Sequence, residues 1–161
     1  MKRCLAVPAC AVAFLSAFGQ EDPYGYVEYD YEHWSLGTQA TLVLPQGGGA
    51  KLHRLGGATV RVGYYIDDAW MLEGTASWLE DAAGLGVRGL WHWWLYEPFD
   101  PFFTIGADGW IDGGVGPSLG WGCFWHFDDN WSLRADANAT LDLDGTNEMI
   151  YSLSLGLQYA F

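Results

Sequence analysis

Positive charge is scarce in this sequence. Seven lysine and arginine residues stand against 20 aspartate and glutamate residues in a chain of 161, and the formal net charge is −13. Proteins that bind nucleic acid neutralise its phosphates with basic patches, so nucleic acid is not expected among the partners of this chain. Charged residues of both signs make up 17% of the chain, below the roughly 25% of typical soluble domains.

Long apolar runs are also missing. No segment approaches the roughly 20 consecutive apolar residues that a membrane-spanning helix needs. The chain is nevertheless 17% aromatic and contains 22 glycines. Aromatic and glycine-rich sequence without apolar blocks favours many short strands over helices.

The N-terminus has the pattern of a secretory signal peptide. Lys2 and Arg3 form a basic start, an apolar stretch runs from Leu5 to Phe18, and small residues before Gln20 offer a cleavage site. We expect residues 1–19 to be removed on export. Removal takes two of the seven basic residues and leaves five against the 20 acidic ones.

The three cysteines are not expected to form a disulfide. Cys4 and Cys10 lie in the signal segment, and Cys123 is then alone. A small exported domain without disulfides needs another source of stability. An acidic, tyrosine-rich segment follows at 20–32, and we expect one folded domain over 33–161.

Apolar and polar residues alternate through almost all of that domain, which is the pattern of β-strands. The connections alternate between tight turns of Asp, Asn and Pro and looser or glycine-rich loops. The sheet therefore has one end with tight turns and one end with looser loops. Eight strands are predicted, at about 35–44, 55–66, 69–80, 83–95, 99–109, 113–127, 130–142 and 148–161.

One face of these strands is apolar, and the other consists mainly of Gly, Ser, Thr, Asn and Gln. A soluble β-sandwich would expose a face rich in Lys, Glu and Arg, so the small polar face is better explained as a narrow interior. Large aromatic residues on the apolar face are predicted to form a girdle at the tight-turn end: Trp34, Tyr64, Trp70, Trp93, Trp125, Trp131 and Tyr159. A sparser second set is expected at the other end: Trp78, Trp110 and Tyr151.

An apolar band with aromatic girdles, a polar lumen and unequal ends is the pattern of a transmembrane β-barrel. The predicted fold is therefore all-β, an eight-stranded antiparallel up-and-down transmembrane β-barrel. With eight strands the interior is just wide enough for side chains to fill, so no open pore is implied. Charged residues of the inner face are expected to form a salt-bridged network that closes the lumen: Arg61, Glu73, Arg88, Asp108, Arg134 and Asp136.

Several stretches resemble the small eight-stranded outer-membrane barrels of Gram-negative bacteria, the group that includes the OmpA transmembrane domain and OmpX. They are YYIDDAWMLEGTASW at 64–78, FDDNWSLRADA at 127–137, and DPFFTIGADG followed by GVGPSLGWG. The resemblance covers about 33–161, and the segment before it has no counterpart. It implies an integral outer-membrane protein in contact with outer-membrane lipids and lipopolysaccharide. We expect a monomer with a structural or surface-interaction role, without enzymatic activity, metal or cofactor.

The C-terminal residues resemble the assembly signal of the same group. A polar residue, a glycine and two aromatic residues recur in it at fixed spacing, here Ser154, Gly156, Tyr159 and Phe161. The resemblance implies that the barrel-assembly machinery recognises the chain during biogenesis.

Two alternative functions stay open. A gated or narrow ion path through the charged lumen would make the protein a porin-like channel for small solutes. A lipid A-modifying enzyme would need a nucleophile and a base, and His33-Trp34-Ser35 has the His-x-Ser spacing of lipid A deacylases, with both side chains on one face of a strand. It lies in the first strand, however, whereas those enzymes place their pair in late strands.

Two further motifs are explained without a site. The loop Asp142–Glu148 carries several oxygen ligands but lacks the spacing of an EF-hand, so a solvated turn is expected and a calcium site is the alternative. In Trp91-His92-Trp93-Trp94, alternation directs Trp91 and Trp93 toward lipid and the other two side chains inward. We therefore expect the first pair to belong to the girdle and the second to fill the lumen, instead of all four forming an aromatic binding box.

Overall fold

The computed structural model of the protein describes residues 33–46, 55–80, 82–93, 98–111, 114–143 and 149–161. The expected signal peptide, the segment 20–32, Trp94 and most of the Asp142–Glu148 loop lie outside the described residues. The eight strands are β1 (Trp34–Gln46), β2 (Leu55–Tyr65), β3 (Trp70–Leu79), β4 (Ala83–His92), β5 (Phe99–Trp110), β6 (Val115–His126), β7 (Trp131–Leu141) and β8 (Met149–Ala160).

The strands form one closed barrel, in which each strand pairs with the next and β8 pairs with β1. Every pairing is antiparallel, and the closing ladder runs from Ser35 opposite Ala160 to Gln46 opposite Met149. Closure leaves no edge with unpaired backbone groups, which is the condition that hydrocarbon imposes on a sheet. The predicted fold, strand number and topology are confirmed, and the strand bounds agree to within a few residues.

The outside of the barrel is apolar and the inside is polar. Leu72 and Leu85 are 50% and 70% exposed, whereas Thr59 and Arg61 on the inner face are 2% and 3% exposed. A barrel in water would place these residues the other way round. No helix of the described part of the chain is long and apolar enough to cross a membrane.

The two ends of the barrel differ in their connections. At one end, here called the turn end, the connections are 66–69, 93–98 and 127–130, and the first and last strands meet there. Two of these turns have the same construction, IDDAW at 66–70 and FDDNW at 127–131. In the first, the Asp67 side chain accepts hydrogen bonds from the backbone N–H groups of Ala69 and Trp70, at 2.9 and 2.8 Å. The connections of the opposite, loop end are 47–54, 80–82, 111–114 and 142–148.

An aromatic girdle surrounds the turn end. The seven residues predicted for it all lie on the outer face, and they are between 36% (Tyr159) and 49% (Trp34) exposed. Neighbouring strands bring the rings together, as in Trp131 with Tyr159, whose centroids are 4.9 Å apart. Additional outer-face aromatics extend the girdle: Trp91, Phe99, Phe103 and Phe127.

The prediction that Trp110 belongs to an outer, loop-end set of aromatics is wrong. Trp78 and Tyr151 do face outward, but Trp110 shares the inner face of β5 with the buried Asp108. Its ring lies over Gly84 of β4, where a Cβ atom would be only 2.6 Å from Trp110 Cε3. The prediction rests on residue type at the end of a strand, whereas alternation from the inward-facing Asp108 places Trp110 inside the barrel.

A pair of glycines tests how tightly the inside is filled. Gly122 faces the lumen, where a Cβ would overlap the Phe102 ring and lie 2.6 Å from the Ala135 carbonyl oxygen, while Gly74 faces outward with nothing within 4 Å. We expect Gly122→Ala to lower the free energy of unfolding by about 1–3 kcal/mol through overpacking. Gly74→Ala is the matched control and should leave it unchanged or slightly raised. Urea unfolding in lipid vesicles measures both, and equal midpoints would contradict the packing described here.

Candidate functional site

The lumen is the feature of this barrel that carries chemistry, and it is filled along its length. An apolar cluster, here called the turn-end plug, occupies the turn end: Tyr65, Met71, Leu90, Phe102 and Phe124. A second apolar cluster, the loop-end cap, occupies the other end: Val43, Leu79, Ala82 and Ile150, with Trp110 packed against them. Charged and hydroxyl-bearing side chains lie between the two clusters.

Two arginines and two carboxylates form a central tetrad beside the turn-end plug. Arg61 donates to Glu73 at 2.7 Å and to Asp136 at 3.2 Å. Arg134 donates through Nε to Asp136 at 2.9 Å and through Nη1 to Glu73. Each cation therefore contacts both anions, and each anion contacts both cations. All four side chains are at most 3% exposed, so the tetrad is buried and its charges are matched.

The tetrad is also tied to uncharged groups. Gln39 accepts from Arg61 Nε at 2.5 Å and donates to Asp136 at 3.3 Å. The Arg134 guanidinium lies over the rings of Phe102 and Phe124, at 4.8 and 5.1 Å from their centroids. Cation–π contact of this kind stabilises a desolvated arginine. The turn-end plug and the tetrad are therefore one packed unit.

The other two charged residues predicted for the lumen form a separate pair. Arg88 Nη2 donates to both oxygens of Asp108 at 2.9 Å, and Thr140 donates to Asp108 at 2.9 Å. The structure thus places all six predicted residues inside and sorts them into a tetrad and a pair. Three arginines face three carboxylates, so these six residues carry no net formal charge.

A belt of hydroxyl groups lies between the charged groups and the loop-end cap. Thr41 bonds to Thr59 at 2.8 Å and to Ser154 at 3.1 Å, and Thr59 bonds to Ser77 at 2.8 Å. An internal cavity at this level measures about 20 Å³. A void of that size holds about one water molecule. The described part of the lumen is therefore closely filled at this level.

A third group of ionisable side chains, at the turn end, was not anticipated from the sequence. His92 Nδ1 lies 2.6 Å from Asp100 Oδ2, and His126 Nε2 lies 3.8 Å from the same oxygen. The three residues come from β4, β5 and β6, which are adjacent, and all three have inward parity. Parity applied to neighbouring strands could have found the group. Within the described residues, no three His, Cys, Asp or Glu side chains are arranged to hold a metal ion.

The structure does not bring together His33 and Ser35, the pair that the enzymatic alternative would need. Ser35 is inside the barrel, 1% exposed, where its hydroxyl accepts a hydrogen bond from Gln158 at 2.9 Å. His33 precedes β1, and its ring is 5.9 Å from the ring of the outward-facing Tyr64. The two-residue alternation holds only within a strand, and His33 lies just outside one.

The residues of the predicted assembly signal divide between the two faces of β8. Ser154 faces inward and bonds to Thr41, and Gly156 lies against β1, where a Cβ would be 2.5 Å from the Cα of Gln39. Tyr159 and Phe161 stack on the outside with centroids 6.1 Å apart. Recognition of these residues by an assembly machinery stays a prediction.

Comparisons with known proteins identify the fold. No family model matches the chain, and no curated protein matches it in sequence. Among solved structures, the outer membrane protein OprG from Pseudomonas aeruginosa is similar, with 11% identity, a TM-score of 0.60, and 84% of this chain and 99% of that chain covered. Ail, the attachment invasion locus protein of Yersinia pestis, shows 16% identity and a TM-score of 0.56 over 80% of this chain and 97% of its own.

A de novo designed transmembrane β-barrel is similar as well, with 13% identity and a TM-score of 0.59 over 79% of this chain and 95% of that chain. Identities this low carry no information about activity, and a designed neighbour shows that the architecture alone implies none. The chain has the fold of the small eight-stranded transmembrane β-barrels found in outer membranes.

Proposed function

We propose that the protein is an integral outer-membrane β-barrel with a closed lumen and a structural or surface-interaction role. The observation that carries the proposal is the charge-matched tetrad buried inside a barrel whose outer face is apolar. Membrane hydrocarbon stabilises that outer face, and the tetrad occupies the space through which a solute would have to pass. The expected signal peptide and the outer-membrane neighbours support the location.

A porin-like channel is the second candidate. It is supported by the charged residues that line the lumen, because charged linings select ions in pores. Against it stand the two apolar clusters at the ends and the pairing of every carboxylate of the tetrad with arginine. A conducting state would have to separate buried ion pairs, which is strongly unfavourable.

Catalysis is not part of the proposal. The His33 and Ser35 side chains do not meet, and Ser132, which lies opposite His126 in the β6–β7 ladder, has no hydrogen bond to it among the described contacts. A hydrolase would need a base within hydrogen-bond reach of its nucleophile.

Contact with lipid is proposed to be apolar. In the part of the chain that the structure describes, lysine is absent and all three arginines point into the lumen. Lipopolysaccharide phosphates therefore meet no cation on the described surface. The apolar band and the girdle supply the contact with lipopolysaccharide and other outer-membrane lipids, and the protein is proposed to act as a monomer.

The location can be tested by cell fractionation. We expect the protein in the outer-membrane fraction, with a gel mobility that changes on heating because a closed barrel resists detergent until it is heated. The Gly122→Ala variant serves as a control for reduced barrel stability. Recovery of the native protein in the soluble periplasm would contradict the proposal.

Closure of the lumen can be tested in planar lipid bilayers. The purified protein is expected to give no discrete single-channel steps, since the tetrad and both apolar clusters fill the path. Reproducible steps of one size would favour the porin-like alternative. Mass spectrometry of lipid A from cells with and without the protein tests the enzymatic alternative, and identical spectra are expected.

The contribution of the tetrad can be tested with Glu73→Gln. The change leaves Arg61 and Arg134 with one carboxylate between them, and we expect the free energy of unfolding in lipid vesicles to fall by about 3–5 kcal/mol. Asp129→Asn, at an exposed position of a turn, is the control and should stay within about 0.5 kcal/mol of the native value. Equal stability of the two variants would show that the tetrad is not a structural element.

A further inference from the structure

Among the described residues, buried polar atoms without a hydrogen bond are concentrated in the histidine–aspartate group at the turn end. Six buried side-chain nitrogen and oxygen atoms among the described residues have no partner, and three of them are here: His92 Nε2, Asp100 Oδ1 and His126 Nε2. Buried polar groups are normally satisfied, so a concentration of exceptions at one place needs an explanation. An imidazole group can take up and release a proton near neutral pH.

The charge balance of the lumen fixes how many protons the group needs. The tetrad and the Arg88–Asp108 pair are neutral as a whole, so Asp100 is one negative charge in excess. Asp100 is 2% exposed, and a buried carboxylate without a cation is strongly unfavourable. The arginines are committed to other carboxylates, which leaves His92, at 2.6 Å, as the cation that can balance Asp100. One proton on the group makes the lumen neutral.

A second proton on the group would add a positive charge that no carboxylate of the group balances. Both imidazoles face the same Asp100 oxygen, and only one imidazolium can be balanced by it. His126 is the more accessible of the two imidazoles, because its side chain is 25% exposed, whereas that of His92 is 1% exposed. The surplus positive charge would arise within the turn-end plug, since the His92 and Phe124 rings stack 5.8 Å apart.

Among the described residues, the surroundings of the group supply no other carboxylate that could balance this charge. From β2, the Tyr65 ring lies 5.8 Å from that of His92, and from β7, Arg134 contacts Phe124. From β3, Glu73 is bound to Arg134, and from β6, the Cys123 thiol lies near Asp100 and donates to the Phe124 carbonyl oxygen. The nearest fixed charge of the plug is therefore the positive Arg134.

We propose that His92, Asp100 and His126 form a proton-binding site in which one proton balances Asp100 and a second proton loosens the turn-end plug. Deprotonation leaves Asp100 unbalanced, and double protonation leaves an imidazolium unbalanced beside Arg134. The barrel is then most stable in between. The site is a pH-sensitive device at the turn end of the barrel, and the proposal does not depend on the function proposed above.

The experiment uses the full chain with His33→Gln and His53→Gln, because the sequence has four histidines and this background keeps only His92 and His126. The temperature at which the folded band disappears on a gel is measured from pH 5 to pH 9. Surface carboxylates remain ionised over most of this range, at an ordinary pKa near 4, so a change below about pH 7 reports the imidazoles. We expect a maximum near neutral pH and a fall of several degrees towards pH 5.

His126→Gln in the same background should remove the acid-side fall, and Asp100→Asn should remove the alkaline-side fall. Nitrogen-15 NMR of the histidine rings gives a second measure, in which the two rings should titrate in two coupled steps that Asp100→Asn uncouples. An unchanged pH profile in His126→Gln, or two independent titrations in the native chain, would overturn the proposal.

Discussion

The structure depends on one constraint, that a sheet in hydrocarbon can leave no backbone N–H or C=O group unpaired. The ladder between β1 and β8 meets it by closing the sheet on itself. Closure with eight strands fixes a narrow interior, and the interior then has to be filled. At Gly122 and Gly156 a Cβ would collide with atoms of the neighbouring strands, as expected on the inner face of a tightly curved sheet.

The filling is mainly polar, and this inverts the energetics of an ordinary core. A soluble domain gains its stability by burying apolar surface, but the apolar surface of this barrel faces lipid. What holds the inside together is satisfaction of the polar groups: four charges matched in the tetrad, two in the Arg88–Asp108 pair, and hydroxyl groups bonded in a belt. A polar network with some of its groups left unpaired would be less stable than an apolar filling. The contribution of each polar group to stability therefore depends on the presence of the others.

Alternation in the sequence was sufficient to predict the strands, the barrel and the inward direction of Arg61, Glu73 and Arg134, because period two is a local property. The partners of these residues could not be predicted in the same way, since they depend on the register and tilt of strands distant in sequence. Trp110 shows the limit of residue type as a guide, and His33 shows that alternation ends with the strand. The His92, Asp100 and His126 group needed the order of three strands in addition to their parity.

The two turns IDDAW and FDDNW are separated by four strands, which is half of an eight-stranded circle. Glu73 and Arg134 both stand three residues after the tryptophan of their turn, so the salt bridge between them joins equivalent positions of two opposite hairpins. A shift of either hairpin by two residues would keep its inner and outer faces but would separate these two charges. The salt bridge between Glu73 and Arg134 therefore forms only when the two halves of the chain are correctly aligned. Alternation of apolar and polar residues alone does not specify that alignment.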